Sequence, residues 1–216
     1  MRMNKIRISG TIVGNNDKWV YELFDMESFC PNDLYDKIKE NEELNIEINS
    51  SGGYVYPASE IYTALIQHTG EVNITITGRA ASAASVIAMA GTTVKISPTA
   101  QIMIHNASAV GEGDYRDFEH YAEQLKKTND TIANAYMLKT GLSKEELFDL
   151  MDVETWLTPD EALEKGFVDE ILNKKEEDKK YNLVASNANI IPQAIIDRIK
   201  SSKEQEKLNI LKLKEM

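Results

Sequence analysis

Two stretches limit what this chain can fold into. Leu44, Ile46 and Ile48 alternate and run into Asn49-Ser50-Ser51-Gly52-Gly53, while Val72, Ile74 and Ile76 alternate and stop at Gly78. Beyond the first loop, Ala58, Ile61, Tyr62 and Leu65 recur at helical spacing; beyond the second lies the small-residue run from Ala80 to Ala88. A period of two marks a strand with one buried face, and spacings of three and four mark a helix. The second run predicts a tight turn and a buried helix. A strand-then-helix order that repeats implies an α/β fold built on a parallel sheet.

The rest of the chain extends this pattern. Ile6 and Ile8 alternate with Lys5 and Arg7 and lead through Ser9 to a turn at Gly10. Pro31 suits the first position of a helix, which Leu34 and Ile38 carry to about Asn41. Val94 and Ile96 predict a fourth strand and Ile102 to Ile104 a fifth. A long helix is expected from about Tyr115 to Lys139, stopped at Thr140-Gly141. Its apolar stripe uses Phe118, Tyr121, Ala122, Leu125, Ile132, Ala135 and Tyr136, with Asn129 interrupting it. Ser143 to Glu146 and Thr158 to Glu161 have capping-box spacing, the second with Pro159 at the first helical position. No internal repeat is found. The expected division is a main domain over 1–172, then a charged linker and helical tail over 173–216.

With 24 basic against 35 acidic side chains the net charge is −11, a field that repels phosphate backbones and argues against nucleic acid as a partner. A lone cysteine, Cys30, rules out an intrachain disulfide. The start MRMNKIRISG has no apolar run behind its basic residues, so neither a secretory signal nor a membrane anchor is expected. A cytoplasmic location is the expectation. No His, Cys and carboxylate cluster has ligand spacing, so neither a metal nor another cofactor is expected.

The chemistry concentrates at three places. Gly78-Arg79-Ala80-Ala81-Ser82 sets a serine where a strand turns into a helix, beside free backbone N–H groups that suit an oxyanion. Serine is also a favoured helix cap, which leaves a purely structural role open. The pair Gly52-Gly53 lets backbone approach a ligand closely at the same sheet edge, or makes an ordinary glycine turn. His105, one of three histidines, follows the Ile102–Ile104 strand and is the best base for Ser82. His68 and His120 fall among helical surface positions.

Taken in order, Asn49-Ser50-Ser51-Gly52-Gly53, Gly78-Arg79-Ala80-Ala81-Ser82, Met103-Ile104-His105 and Glu161-Ala162-Leu163-Glu164-Lys165-Gly166-Phe167-Val168-Asp169 resemble the ClpP family of serine peptidases. The likeness spans roughly Ile6 to Leu172. It implies the ClpP/crotonase-like superhelix of ββα units with a long handle helix, and a homo-oligomer of stacked rings interlocked by that helix. It also implies a serine endopeptidase acting on peptide or protein substrates inside a chamber. Ser82 would be the nucleophile and His105 the base, with Gly53 and Ala83 donating oxyanion N–H groups. The family's third member is an aspartate. Aligning Trp156-Leu157-Thr158 with the family's segment puts Glu154 at that position, with Asp152 as the alternative acid and an ordinary surface role open for both.

The chain begins almost at its first strand, so the family's axial-loop segment is expected to be missing or very short, and docking of an ATP-driven unfoldase is not expected. With the unexplained C-terminal stretch, this points toward the ClpP-related head-maturation proteases of phages and prophages. A crotonase-type acyl-CoA enzyme would not need a serine–histidine pair. A Ser–Lys dyad would have to draw on Lys126, Lys127 or Lys139, which read as solvated charges. The competing reading from another class is an inactive assembly or scaffold protein that kept the fold.

Overall fold

The structure is a computed structural model that describes residues 5–174 and Lys203. The chain divides into Met1–Lys175 and Glu176–Met216. The second is described only at Lys203, which is helical and exposed. Apart from Asn173, Lys174 and Lys203, the expected linker and tail over 173–216 lie outside the described residues.

The sheet is built around β3 (Leu44–Gly53) and β4 (Val72–Ala81), flanked by β1 (Lys5–Ile12) and β2 (Ser28–Phe29) on one side and by β5 (Thr93–Ile96) and β8 (Glu170–Ile171) on the other. Every pairing along the path β2-β1-β3-β4-β5-β8 is parallel. Ile6, Ile8, Ile46, Ile48, Ile74, Ile76, Val94 and Ile96 are all fully or almost fully buried. Burying each such side chain stabilises by about 1.5–3 kcal/mol. The helix α3 (Val55–Ile66) adds Ala58, Ile61 and Leu65 to this core, and all six residues of α4 (Ala83–Ala88) are buried. Small side chains let α4 pack this closely, which fixes the strand-to-helix turn in front of it.

The strand β4 does not stop at Gly78 as its alternation predicts. It runs on to Ala81 because its edge is shared: β5 pairs with Asn73 to Ile76, and β6 (Gln101–Ile104) pairs with Arg79 to Ala81. The register against β3 shifts between Ile48 and Ser50, where Asn49 Oδ1 accepts the Arg79 N–H at 3.3 Å. Gly10, expected to turn, instead sits in a register shift within β1, which continues to Ile12. The helix from Pro31, α2, closes at Tyr35. Its end tightens as the Lys37 and Ile38 N–H groups both reach the Leu34 carbonyl, and Asn41 takes a left-handed conformation.

Two early elements, α1 (Lys18–Leu23) and β2, had no periodic signal. The first has no buried residue and the second is two residues long. The long helix α5 (Tyr115–Thr140) is capped by Asp114, whose side chain accepts from the Arg116 and Asp117 N–H groups, and ends at the left-handed Gly141. Its buried residues are Ile132, Ala133, Ala135 and Tyr136, whereas Tyr115, Phe118 and Tyr121 in its first half are exposed. The capping boxes at Ser143 and Thr158 open α6 (Lys144–Asp152) and α7 (Pro159–Glu164). Between them β7 (Thr155–Leu157) pairs antiparallel with β6.

Candidate active site

Ser82 stands between β4 and α4 with φ 54° and ψ −126°. A non-glycine residue in this region is strained by about 1–3 kcal/mol and persists only when its surroundings hold it. The Ser82 N–H donates to the Met103 carbonyl on β6 at 2.9 Å. Its own carbonyl accepts the Ser85 N–H at 2.9 Å, the Ser85 hydroxyl at 2.6 Å and the Val86 N–H at 3.4 Å. Clamped on both sides, the turn is held in its strained strand-to-helix conformation, with Ser82 at the point where β4 gives way to α4.

His105 follows the last residue of β6, whose register against β4 pairs Ala81 with Met103. Strand adjacency therefore brings its ring to the Ser82 turn, and Nε2 lies 2.7 Å from Ser82 Oγ. The antiparallel register of β6 and β7 pairs Ile104 with Thr155, and one further step sets Glu154 opposite His105. Glu154 Oε2 is 4.0 Å from His105 Nδ1, within ion-pair range but beyond a hydrogen bond. Its other oxygen accepts the Trp156 indole N–H at 3.2 Å, and its backbone is left-handed at φ 51°. Asp152 faces elsewhere: Oδ1 accepts the Asn106 amide at 2.6 Å.

The glycine pair has two separate jobs. A Cβ on Gly52, whose φ is +94°, would fall 2.6 Å from the Ala81 carbonyl oxygen, 2.8 Å from Ser82 Cβ and 2.9 Å from Ala83 N. A Cβ on Gly53, at φ +153°, would fall 2.1 Å from the Ile12 carbonyl oxygen. Gly52 thus gives the Ser82 turn its room, and Gly53 lets β1 and β3 close. Ala83 is the first residue of α4, so its N–H has no acceptor within the helix.

Beside Ser82 and His105 opens a pocket of about 140 Å³ whose walls include Val55, Ala58, Tyr62, Val86, Ala135 and Leu138. It is an apolar recess next to the serine hydroxyl. Asn129, which looked like a flaw in the helical stripe, accepts the Ala107 N–H at 2.8 Å and so anchors the segment after His105. An asparagine interrupting an apolar stripe was the available signal for that role. Asn106 Oδ1 is a buried side-chain oxygen without a partner among the described residues.

The remaining candidates lie apart. His68 Nε2 donates to the Glu42 carbonyl at 2.7 Å, and His120 pairs with Gln124 on α5. Lys126 and Lys127 are exposed as expected, but Lys139 is not a solvated charge: its side chain is largely buried and its Nζ donates to Asp169 at 2.7 Å. Among the described residues no group of three or more His, Cys, Asp or Glu could hold a metal ion, and no helix is long and apolar enough to cross a membrane.

Comparison with known proteins agrees with this geometry. Residues 33–175 match the model of the Clp protease family. An ATP-dependent Clp protease proteolytic subunit of Deinococcus radiodurans is 32% identical over 148 residues, covering 68% of this chain and 72% of the relative. One from Bacteroides fragilis is 33% identical over 142 residues, covering 65% and 69%. A proteolytic subunit 1 of Chlamydia abortus is 34% identical over 129 residues, covering 58% and 67%. With its parallel sheet, its long helix and this match over most of the described fold, the chain belongs to the Clp protease family and is a ClpP-like serine-type peptidase.

Proposed function

We propose that Ser82 is the nucleophile and His105 its general base in an endopeptidase that works through an acyl-enzyme. The observation that carries this reading is the 2.7 Å contact between His105 Nε2 and Ser82 Oγ at a strained strand-to-helix turn. Ser82 Oγ attacks the substrate carbonyl carbon as its proton passes to Nε2. The N–H groups of Gly53 and Ala83 receive the developing oxyanion. His105 then returns the proton to the leaving amine, the C–N bond breaks, and water activated by the same ring releases the acyl group. Glu154 steadies the imidazolium across 4.0 Å, and Asp152, occupied by Asn106, does not.

The apolar pocket beside Ser82 suits an uncharged aliphatic side chain on the acyl side of the cut bond. Acyl transfer uses no phosphate chemistry, so hydrolysis of unfolded peptides is independent of nucleotide even though the relatives are named ATP-dependent. We also assign the exposed aromatic residues of α5, Tyr115, Phe118 and Tyr121, to contacts between copies that close a chamber. Processing of phage head proteins and general protein turnover are the two settings that such a peptidase fits.

Intact mass after fluorophosphonate treatment tests the reading, run on wild type, Ser82→Ala and Ser85→Ala with oligomeric state measured on the same samples. A single adduct that is abolished in Ser82→Ala and still forms, at whatever rate, in Ser85→Ala supports it. An assembled protein that takes no adduct would mean an inactive scaffold.

A further inference from the structure

The geometry points to Tyr136 as a positioning residue for Ser82, acting through Ser85. The inference rests on Ser82 being the nucleophile. Ser85 is completely buried one turn into α4, and its Oγ makes two contacts: 2.6 Å to the Ser82 carbonyl oxygen and 2.8 Å to Tyr136 Oη. A carbonyl can only accept, so the single Ser85 proton is committed to Ser82. Tyr136 must therefore donate to Ser85. The result is a directed relay of two hydrogen bonds from the long helix α5 to the backbone of the strained residue that aims Oγ at His105.

A satisfied core tyrosine would be the plain alternative, but the site does not call for a hydroxyl. Tyr136 is 1% exposed and its ring packs on Phe167 with centroids 5.7 Å apart, surroundings that a phenylalanine would suit as well. Burying a hydroxyl is costly unless it is paired, and its partner here is a side chain whose own hydrogen bond ends on Ser82. Burial also pushes the phenol far above its ordinary range, which keeps it a neutral donor. Tyr136 and Ser82 both border the pocket, so the relay ties the pocket's lining to the carbonyl behind the attacking oxygen.

The experiment uses the full chain as wild type, Tyr136→Phe, Ser85→Ala and the double variant. Fluorophosphonate labelling is followed over a range of reagent concentrations to separate the maximal inactivation rate from the half-saturating concentration, with melting temperature measured in parallel. Tyr136→Phe is expected to lower the maximal rate about tenfold, as loss of positioning does, with half-saturation unchanged. Ser85→Ala is expected to lose at least as much, and the double variant no more than Ser85→Ala, because the two residues act as one relay. Should Tyr136→Phe fold poorly, Ser85→Ala alone carries the comparison. Labelling of Tyr136→Phe at the wild-type maximal rate overturns the inference, as do losses that multiply in the double variant. If wild type takes no adduct at all, the nucleophile assignment falls first and the inference with it; if wild type labels at Ser82 and the variants match it, only the inference falls.

Discussion

His105 Nε2 lies 2.7 Å from Ser82 Oγ, although the two residues are 23 positions apart and follow the ends of different strands. The contact follows from β6 pairing with the far end of β4, so neither side chain has to be held by a flexible loop. Removing the proposed base while keeping the turn isolates its contribution. His105→Ala is expected to slow fluorophosphonate labelling by about 10²–10⁴-fold without moving the melting temperature by more than a few degrees. Stopped labelling time courses with calorimetry on the same sample check both halves of that statement.

Glu154 should matter less. Its carboxylate is 4.0 Å from Nδ1 and 57% exposed, so water screens the pair. Glu154→Gln is expected to cost about tenfold in rate, well short of the His105→Ala loss. Glu154→Gly adds a second readout, because it relieves a left-handed backbone strained by about 1 kcal/mol while deleting the carboxylate. Stability held or raised, with the rate reduced, is the expected outcome; a wild-type rate in both variants would remove Glu154 from the site.

The two glycines should separate by readout. Gly52→Ala drives a methyl into the Ala81 carbonyl and the Ser82 turn, and is expected to cost about a hundredfold in labelling. Gly53→Ala collides with the Ile12 carbonyl of the neighbouring strand and is expected to lower stability by about 1–3 kcal/mol and, by displacing the proposed oxyanion donor, to slow labelling as well. Denaturant melts and labelling rates on both variants test this. Equal effects on both measurements would mean that the pair acts as one turn.

Pocket size sets a further expectation. Ala135 lines the recess beside Ser82 and is almost fully buried, so Ala135→Leu fills space that a substrate side chain would take. Cleavage of peptides with a leucine or methionine before the cut bond is expected to fall about 10–100-fold, with alanine in that position affected much less. A uniform loss across these peptides, scored by mass spectrometry of the products, would place the substrate side chain elsewhere.

Much of this site was legible in the sequence because it depends on strand ends. Alternation at Leu44–Ile48 and Val72–Ile76 located the sheet edge, and Ser82 and His105 follow directly from where those runs and Ile102–Ile104 end. What could not be read was pairing. Nothing local tells β4 to exchange β5 for β6 halfway along, which is why the strand outruns Gly78. Likewise the alignment of Trp156-Leu157-Thr158 favours Glu154 but leaves Asp152 open, and only the antiparallel pairing of β7 with β6 sets Glu154, not Asp152, opposite His105. Tyr136 and Ser85 read as core and small-residue positions, since their hydrogen bond joins residues 51 apart. The helix α1, which buries no residue fully, gave no burial pattern at all.

Asp33 offers a test of the fold away from the site. It stands at the third position of α2, where its carboxylate accepts the Cys30 N–H at 2.9 Å and an ion pair from Lys18. Burial works to raise its pKa, but the Lys18 ammonium and the Cys30 N–H outweigh it and hold the carboxyl below its ordinary value. The folded chain therefore binds this proton less readily than the unfolded chain does, so the stabilisation is present above the ordinary carboxylate range and is lost as pH falls through the folded value. Asp33→Asn is expected to cost about 1 kcal/mol near neutral pH, the worth of a cap joined to a partly exposed ion pair. The melting-temperature gap between wild type and variant should then narrow as pH falls from about 7 toward about 3. A gap that stays constant over that range would show that Asp33 acts through shape and hydrogen bonding alone, with its charge contributing nothing.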